Sequence, residues 1–543
     1  MKKYIKKGMF DRKSVLCIIY MFLVSIFVVY VNSAVKSFEV IGEVRAWWSR
    51  TNNAWDKTET IVREDGSADF DDVDDHMFSD TKLGIRANIL RDVFGVIEIE
   101  KRDTLWATHN NAFNAEHYGT VGGYLGDPNI QNPTNYTGYK ITKSYIKWDK
   151  IYDRFSLTVG RQFISGTEYP DPERMDLVLC MTMDGFRADI FSDYGKIILF
   201  KAKLNESTAP MYAPHGGLAW ETKYEDKDFD AQGVLLKSAN LLPGHRLKTY
   251  FLNSIINDPN ETNPTGQIYS QYDLRNIIGF RVEGGLSFGL EYAGEFAYLF
   301  GEKYVTTYRA LNPTTLDYET KQYYDLAARK AFIYQFLVQY TKPTYLLDNT
   351  ANLKGFINIL GGSGDDSTTP DDEGFVGLND DWWTRARGYD HQGYGEIYKA
   401  NPYQHNRFTS GDNPTDAYDG RYVEKSISLY PTGIINLGAR YEVTEGFLQG
   451  LFSQFDFFFY NHLSPDGVVC INEDGKKEQT NDLGKEINFQ IGYNYKYTST
   501  FRLIFGFFFP GRAYLNGTDA KTGFVIGGDT VSLIKLETAL YFY

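Results

Sequence analysis

The sequence predicts an all-β chain: a single transmembrane antiparallel β-barrel with short periplasmic turns and long extracellular loops. Three observations predict it. The N-terminus reads as an export signal. The composition joins many aromatics and glycines to a polar average: 41 Tyr, 38 Phe and 50 Gly in 543 residues, with a mean hydropathy of −0.38. Beyond the first segment there is no long apolar stretch and no helical stripe, only repeated segments that alternate apolar and polar. A secreted β-sandwich or propeller would share much of this. Transmembrane strands need apolar residues only at every second position, which reconciles the aromatics with the polarity.

Residues 1–34 are expected to be a signal peptide and residues 35–543 the barrel. Lys2, Lys3, Lys6, Lys7, Arg12 and Lys13 precede an apolar run from Val15 to Val31, and Asn32-Ser33-Ala34 supplies small residues. Basic, apolar, small is the order of a secretory signal. An uncleaved membrane anchor is the alternative. Without this segment's net +5, the chain's −14 becomes −19. That acidity speaks against nucleic acid as a partner. Cys17 sits in the apolar run. Cys180 and Cys470 could pair in an oxidising compartment, and their spacing suggests no metal site.

The alternation runs to the end of the chain. Phe38, Val40, Gly42, Val44, Ala46 and Trp48 oppose Glu39, Glu43 and Arg45. Leu83, Ile85, Ala87 and Ile89 oppose Lys82, Arg86 and Asn88. Tyr139 to Trp148 does not alternate cleanly. From Leu157 to Phe163, Arg161 shares the phase of Leu157 and Val159, and a bulge at Gly160 would turn it inward. Phe186, Ala188 and Ile190 oppose Arg187 and Asp189. Ile278, Phe280 and Val282 oppose Arg281 and Glu283. A turn is expected at Gly284-Gly285, with Leu286, Phe288, Leu290 and Tyr292 following on one face. Ile435, Leu437, Ala439 and Tyr441 oppose Arg440 and Glu442. Ile487, Phe489, Ile491 and Tyr493 oppose Glu486, Asn488 and Gln490. Phe501, Leu503, Phe505, Phe507 and Phe509 oppose Arg502 and Ile504.

Two features favour lipid as the solvent. Tyr, Trp and Phe cap many apolar faces, as an aromatic girdle requires, and the segments have the roughly ten-residue length that spans a bilayer at a tilt. Such strands must close on themselves, because no backbone polar group is left unpaired in lipid. Short links such as Arg91-Asp92 and Lys496 to Thr500 read as periplasmic turns. Ala107 to Gly138, Gly361 to Asp381 and Tyr403 to Tyr422 read as extracellular loops. The terminal Leu540-Tyr541-Phe542-Tyr543 suits recognition by the barrel-insertion machinery.

Three stretches resemble the alginate-export family of outer-membrane porins. Leu157-Thr158-Val159-Gly160-Arg161-Gln162, with Asp184-Gly185-Phe186-Arg187 after it, is similar to that family's Gly-Arg-Gln strand and its next strand start. Gly362-Ser363-Gly364-Asp365-Asp366 is similar to its Ser-Gly-Asp-Asp loop. Leu483-Gly484-Lys485-Glu486-Ile487 leads to Phe507-Phe508-Phe509-Pro510-Gly511 near the C-terminus. The resemblance implies a monomeric barrel of about eighteen strands in the cell outer membrane. It implies an export or uptake pore for an anionic polysaccharide or a smaller solute. Met175 to Met183 is more apolar than the family pattern.

Catalytic motifs are not found: no Gly-x-Ser-x-Gly, His-Glu-x-x-His or phosphate-binding loop occurs. The expectation is no enzyme, no cofactor and no metal site. His109 and His117 read as polar loop residues. Asp69 to Asp75 and Asp365 to Glu373 read as solvated loops beside lipopolysaccharide rather than calcium sites. The informative residues are the cations on lumen phases: Arg45, Lys82, Arg86, Arg161, Arg187, Arg281, Arg440 and Arg502. As a group they would select anionic or sugar-like solutes. Glu39, Glu43, Asp189, Glu283, Glu291, Glu295, Glu442 and Glu486 share the lumen, so the arginines could equally be wall struts. A surface binding or adhesion barrel with a plugged lumen is the second reading of the chain, and a barrel enzyme the third.

Overall fold

The computed structural model describes the strands, their short turns and parts of the loops. Residues 1–36, 53–72, 108–139, 166–177, 207–227, 376–431 and 519–524, with shorter loop gaps, lie outside the described residues. The expected signal segment, His109, His117 and most of Asp69 to Asp75 therefore fall outside them.

Eighteen strands build the wall: β1 (Ser37–Asn52), β2 (Val73–Leu90), β3 (Val93–Ala107), β4 (Lys140–Ile151), β5 (Phe155–Ser165), β6 (Cys180–Ser192), β7 (Gly195–Glu206), β8 (Asp228–Leu242), β9 (His245–Asn257), β10 (Asp273–Gly285), β11 (Leu290–Leu311), β12 (Tyr318–Leu346), β13 (Asn349–Gly362), β14 (Thr432–Glu445), β15 (Leu451–His462), β16 (Asp482–Tyr495), β17 (Ser499–Pro510) and β18 (Val531–Phe542). Each pairs antiparallel with its chain neighbours. The last returns to the first over eleven residue pairs, from Gly42↔Phe542 to Asn52↔Ser532. The sheet is a closed barrel, and closure removes both edges.

Tight links such as Arg91-Asp92, Tyr152 to Arg154 and Asp193-Tyr194 lie at one end, and the long connections at the other. The expected loops Gly361 to Asp381 and Tyr403 to Tyr422 prove to be one connection, between β13 and β14. The hairpin after β10 turns at Leu286–Gly289, not at Gly284-Gly285, which still pair with Tyr292 and Glu291. Gly289 takes a positive φ of 92° there, a conformation glycine adopts without strain. The 22-residue β11 and 29-residue β12 stay paired out to Leu311↔Tyr318, well beyond their neighbours.

The two faces differ sharply. Phe38, Val40, Leu83, Ile85, Ile97, Phe186, Ile278, Phe280, Phe336, Phe455, Ile491 and Phe507 stand exposed on one face. On the other phase, Glu43, Arg45, Asp189, Arg281, Glu283, Glu295, Asp456 and Glu486 are buried. The convex outside of a barrel spreads its side chains and the concave inside crowds them. The exposed apolar face is therefore the outside, and the charged face lines the lumen. Ile89 leaves the expected outer face: the β2–β3 register slips between Asn88 and Leu90, and Ile89 is buried.

The inner wall has apolar patches too. Ile198, Phe200, Ala231, Leu235, Leu252, Ile277, Ala297, Leu299, Ala331 and Ile333 form one buried cluster with Val178 and Phe375. Eighteen strands enclose more space than wall side chains fill. Val178 precedes β6 and Phe375 follows β13, so chain from the loops packs onto this patch. Val178 lies in the stretch Met175 to Met183, and its burial accounts for one of that stretch's apolar residues.

Adjacent residues on β16 test the two faces. Ile491, 40 % exposed, stands halfway up the apolar band, and Gln490 points inward. Ile491→Arg should cost about 2–4 kcal/mol of folding free energy in lipid. Gln490→Arg should cost less than about 1 kcal/mol, because the lumen side is polar. Denaturant titration of refolding into vesicles measures both.

Candidate solute path

Of the eight cations expected in the lumen, seven lie on its phase and most are paired. Arg45 meets Glu43 and Tyr541, and lies 3.8 Å from Glu537. Glu537 also holds Arg502 at 2.6 Å and Lys535 at 3.2 Å. One buried carboxylate thus ties three cations across the seam where β17, β18 and β1 meet. Arg281 bridges Glu283 at 2.5 Å and Glu295 at 3.0 Å, and the Tyr250 hydroxyl donates to Glu295 at 2.8 Å. Arg440 bonds Glu442 and Gln454 and lies 4.1 Å over the Phe452 ring. Arg86 reaches Glu39 at 3.7 Å, and Arg187 pairs with Asp189 at 2.7 Å. Lys82 stands on the lumen phase opposite Glu43.

Arg161 is the exception. Pairing runs without a slip from Ser144↔Arg161 to Trp148↔Leu157, and from Phe155↔Ile190 to Ser165↔Cys180. The bulge expected at Gly160 is absent, although Gly160 has a φ of +118°. Arg161 keeps the phase of Leu157 and Val159, on the outer face. It binds Asp184 there through its Nε at 2.8 Å. A Cβ at Gly160 would meet the Ser144 carbonyl oxygen at 2.2 Å, so strand proximity explains that glycine.

The structure adds cations that alternation did not single out. Lys143, Lys147 and Lys196 join Arg86 and Arg187 on the inner face of β2 to β7. Lys143 binds Glu98 at 2.8 Å, Lys147 binds Asp149 at 3.0 Å, and Lys196 binds Asp189 at 2.8 Å. Lys143 is 32 % exposed and Glu98 only 8 %. Asp189 is 2 % exposed behind Arg187 and Lys196. In the Lys143–Glu98, Arg187–Asp189 and Lys196–Asp189 pairs the cation stands forward of a recessed carboxylate, whereas Lys147 and Asp149 are about equally exposed. Phe94 lies among them, 4.0 Å beneath the Arg86 guanidinium and 5.7 Å from the Lys147 ammonium. Tyr145 meets Phe94 edge-on. This patch offers positive charge beside ring faces, which suits an anion with a flat or sugar-like body.

The lysines of β4 were hidden by a slip in the very segment that does not alternate. The β3–β4 register steps from Glu98↔Lys143 to Ile99↔Ile141, skipping one residue. Ile141 is exposed outside although it shares parity with Lys143.

Arg329 was also missed. It is almost fully buried, hydrogen-bonds Asp273 at 2.7 Å and forms an ion pair with Asp372 at 2.9 Å, with Arg275 on the same Asp273. Asp372 exchanges backbone hydrogen bonds with Ala328 and Lys330, so its loop is stitched to β12 just before Phe375 enters the lumen. Asp371 binds Lys330. Among the described residues, no group of three ligating side chains could hold a metal ion.

No protein-family description matches the chain, so the alginate-export resemblance rests on its short motifs alone. No characterised protein matches it in sequence either. Solved structures of loosely similar shape include Acinetobacter baumannii OccAB1, at 10 % identity over 94 % of this chain and 99 % of that one, with a TM-score of 0.42. Pseudomonas aeruginosa OpdL is 10 % identical over 93 % and 99 %, with a TM-score of 0.42. Pseudomonas aeruginosa OpdK with vanillate is 8 % identical over 94 % and 100 %, with a TM-score of 0.44.

The two kinds of lumen cation should separate on mutation. Arg281→Gln removes the guanidinium that bridges buried Glu283 and Glu295, and should cost about 3–5 kcal/mol. Lys143→Gln, at a half-open site, should cost about 1 kcal/mol or less. The temperature at which each barrel loses its compact gel mobility reads the difference.

Proposed function

We propose that this chain is an outer-membrane channel through which small anionic or sugar-like solutes diffuse passively. The observation that carries the reading is the closed eighteen-strand wall, apolar outside and ionisable inside. Such a surface is stable only with lipid around it, and a barrel of this width leaves room for water within. Lys143, Arg187 and Lys196, which stand forward of their carboxylates, then set the preference for anions, and Phe94 and Tyr145 give a ring or sugar face something to slide along. The pairs Arg281–Glu295 and Arg502–Glu537 hold the wall's shape and contribute little net charge. In this reading residues 1–34 direct export, the insertion machinery closes the barrel, and one chain suffices for a pore. Polysaccharide export, the larger version of the same function, is supported by the motif resemblance.

A second reading has its own support. Val178 and Phe375 fill part of the lumen, as they would in a surface binding barrel with a plugged interior. Planar-bilayer recording separates the two: discrete conductance steps are expected from a channel, and a silent membrane would favour the plug. In a salt gradient the reversal potential should report anion preference. Lys143→Gln with Lys147→Gln and Arg187→Gln should move it towards cations. Arg161→Gln should leave it unchanged, since that side chain lies outside the wall.

Location is tested separately. The exported chain should require detergent and should migrate faster on gels before boiling than after. A soluble monomer without detergent would contradict the membrane reading.

A further inference from the structure

The outer face carries a polar strip where lipid should lie. On β5 to β7, Arg161, Asp184, Lys201 and Lys203 share the phase of Val159, Phe186 and Leu199. Cross-strand pairing sets Arg161 beside Asp184 and Asp184 beside Lys203. Next along the wall, Gln232 donates to Asn253 at 3.2 Å and Asn253 to Asn276 at 2.9 Å. Six adjacent strands thus present a continuous row of guanidinium, carboxylate, ammonium and amide groups, with cations in excess, on a largely apolar surface.

Height decides what the row would meet. Arg161 and Lys201 stand seven residues above their short turns, Asp184 and Lys203 nine. A strand tilted by roughly 40° climbs about 2.5 Å per residue along the barrel axis. The charged part of the row therefore lies about 17–22 Å above the turns, in the outer-leaflet half of an apolar band about 25 Å tall, and the amides continue it towards the band's upper edge. At the same levels on the opposite flank stand Phe489, Phe505, Phe459 and Phe507. The apolar band is thus shorter on one flank. Lys201 is exposed, and its cross-strand neighbours on that face are Phe186 and Gln232, not carboxylates. A cation so placed is costly in hydrocarbon unless its stem carries it up to an anion at the headgroup level.

We infer that this strip is a binding site for the phosphorylated sugar headgroup of an outer-leaflet glycolipid. Lys201 and Lys203 would meet the phosphates, and Arg161 would neutralise Asp184 beside them. Gln232, Asn253 and Asn276, which both donate and accept, would meet sugar hydroxyls and the amides that carry the acyl chains. The inference rests on the outer-membrane reading above. A second copy of this chain is the competing occupant, since amides are self-complementary. The cations favour the lipid, because a like-charged copy would bring lysine against lysine.

The test uses the full-length barrel extracted from outer membranes and examined by native mass spectrometry, with lipid A as the probe. Wild-type protein should retain bisphosphorylated lipid A and should lose it at least tenfold more readily when both phosphates are removed from the lipid. Arg161→Gln with Lys201→Gln and Lys203→Gln should lower retention by tenfold or more, and Lys201→Gln alone by a smaller factor. Lys485→Gln, an outer cation on the far flank, should leave it unchanged. The heat-modified gel shift certifies that each variant is a barrel, so a channel that folds but keeps no lipid A sinks this inference and leaves the channel standing. Unchanged retention in the folded triple variant would overturn it. So would covalent pairing of two copies through Gln232→Cys in membranes that contain lipid A.

Discussion

The hydrogen-bonded seam between the last strand and the first governs everything else in this molecule. Until Gly42 to Asn52 pairs with the C-terminal strand, two strands carry unsatisfied amides and carbonyls, which hydrocarbon cannot tolerate. Closure makes the sheet its own partner and fixes an inside and an outside. The seam is also where the wall places Glu537 among Arg45, Arg502 and Lys535. An ionic cluster of that kind is demanding in geometry, and removing one member leaves a buried charge. It ties the last two strands of the wall to the first.

The crowding of the inside sorts the charged residues into two kinds. Where a carboxylate and its cation are both buried, as with Arg281 and Glu295, the pair acts as a crosslink. Where the carboxylate is recessed and the cation is not, as with Glu98 and Lys143, the field reaches the lumen water. Charge count alone gives no hint of this division. It follows from the depth of each side chain, which depends on what packs beside it from the next strand.

Much of the fold was legible in the sequence because lipid imposes a simple rule. Alternation assigned Phe38, Ile85, Phe186, Phe280 and Ile491 to the outer face, and short polar links marked one rim. Reading failed where one residue was skipped or one face was covered. The slip opposite Ile99 hid Lys143, and the slip at Ile89 turned an outer residue inward. At Gly160 the expected slip was absent, so Arg161 fell outside the wall and met Asp184, its fellow in the motif resemblance. The covered inner patch left its own trace: Ile197-Ile198-Leu199-Phe200, Leu235-Leu236 and Ile277-Ile278 are apolar on both faces. Such runs break the rhythm where loop residues such as Phe375 press against the inside. Arg329 was invisible for a further reason, since its partners Asp273 and Asp372 are remote in sequence and meet it only through barrel register and an inward loop.

The overlong hairpin of β11 and β12 gives the molecule a handle. Its ladder continues past one register shift between Val305 and Thr307 to the tip, where the Asn312 side chain accepts hydrogen bonds from the amides of Thr314 and Thr315. A free two-strand ribbon would be only marginally stable in water. This one is rooted in eighteen strands and braced at its base by Asp372 against Arg329. Its tip stands farther from the bilayer than any other described strand. Anything that grips the tip holds a lever, and a pull on it loads the clasp beside Phe375 before it strains the ring.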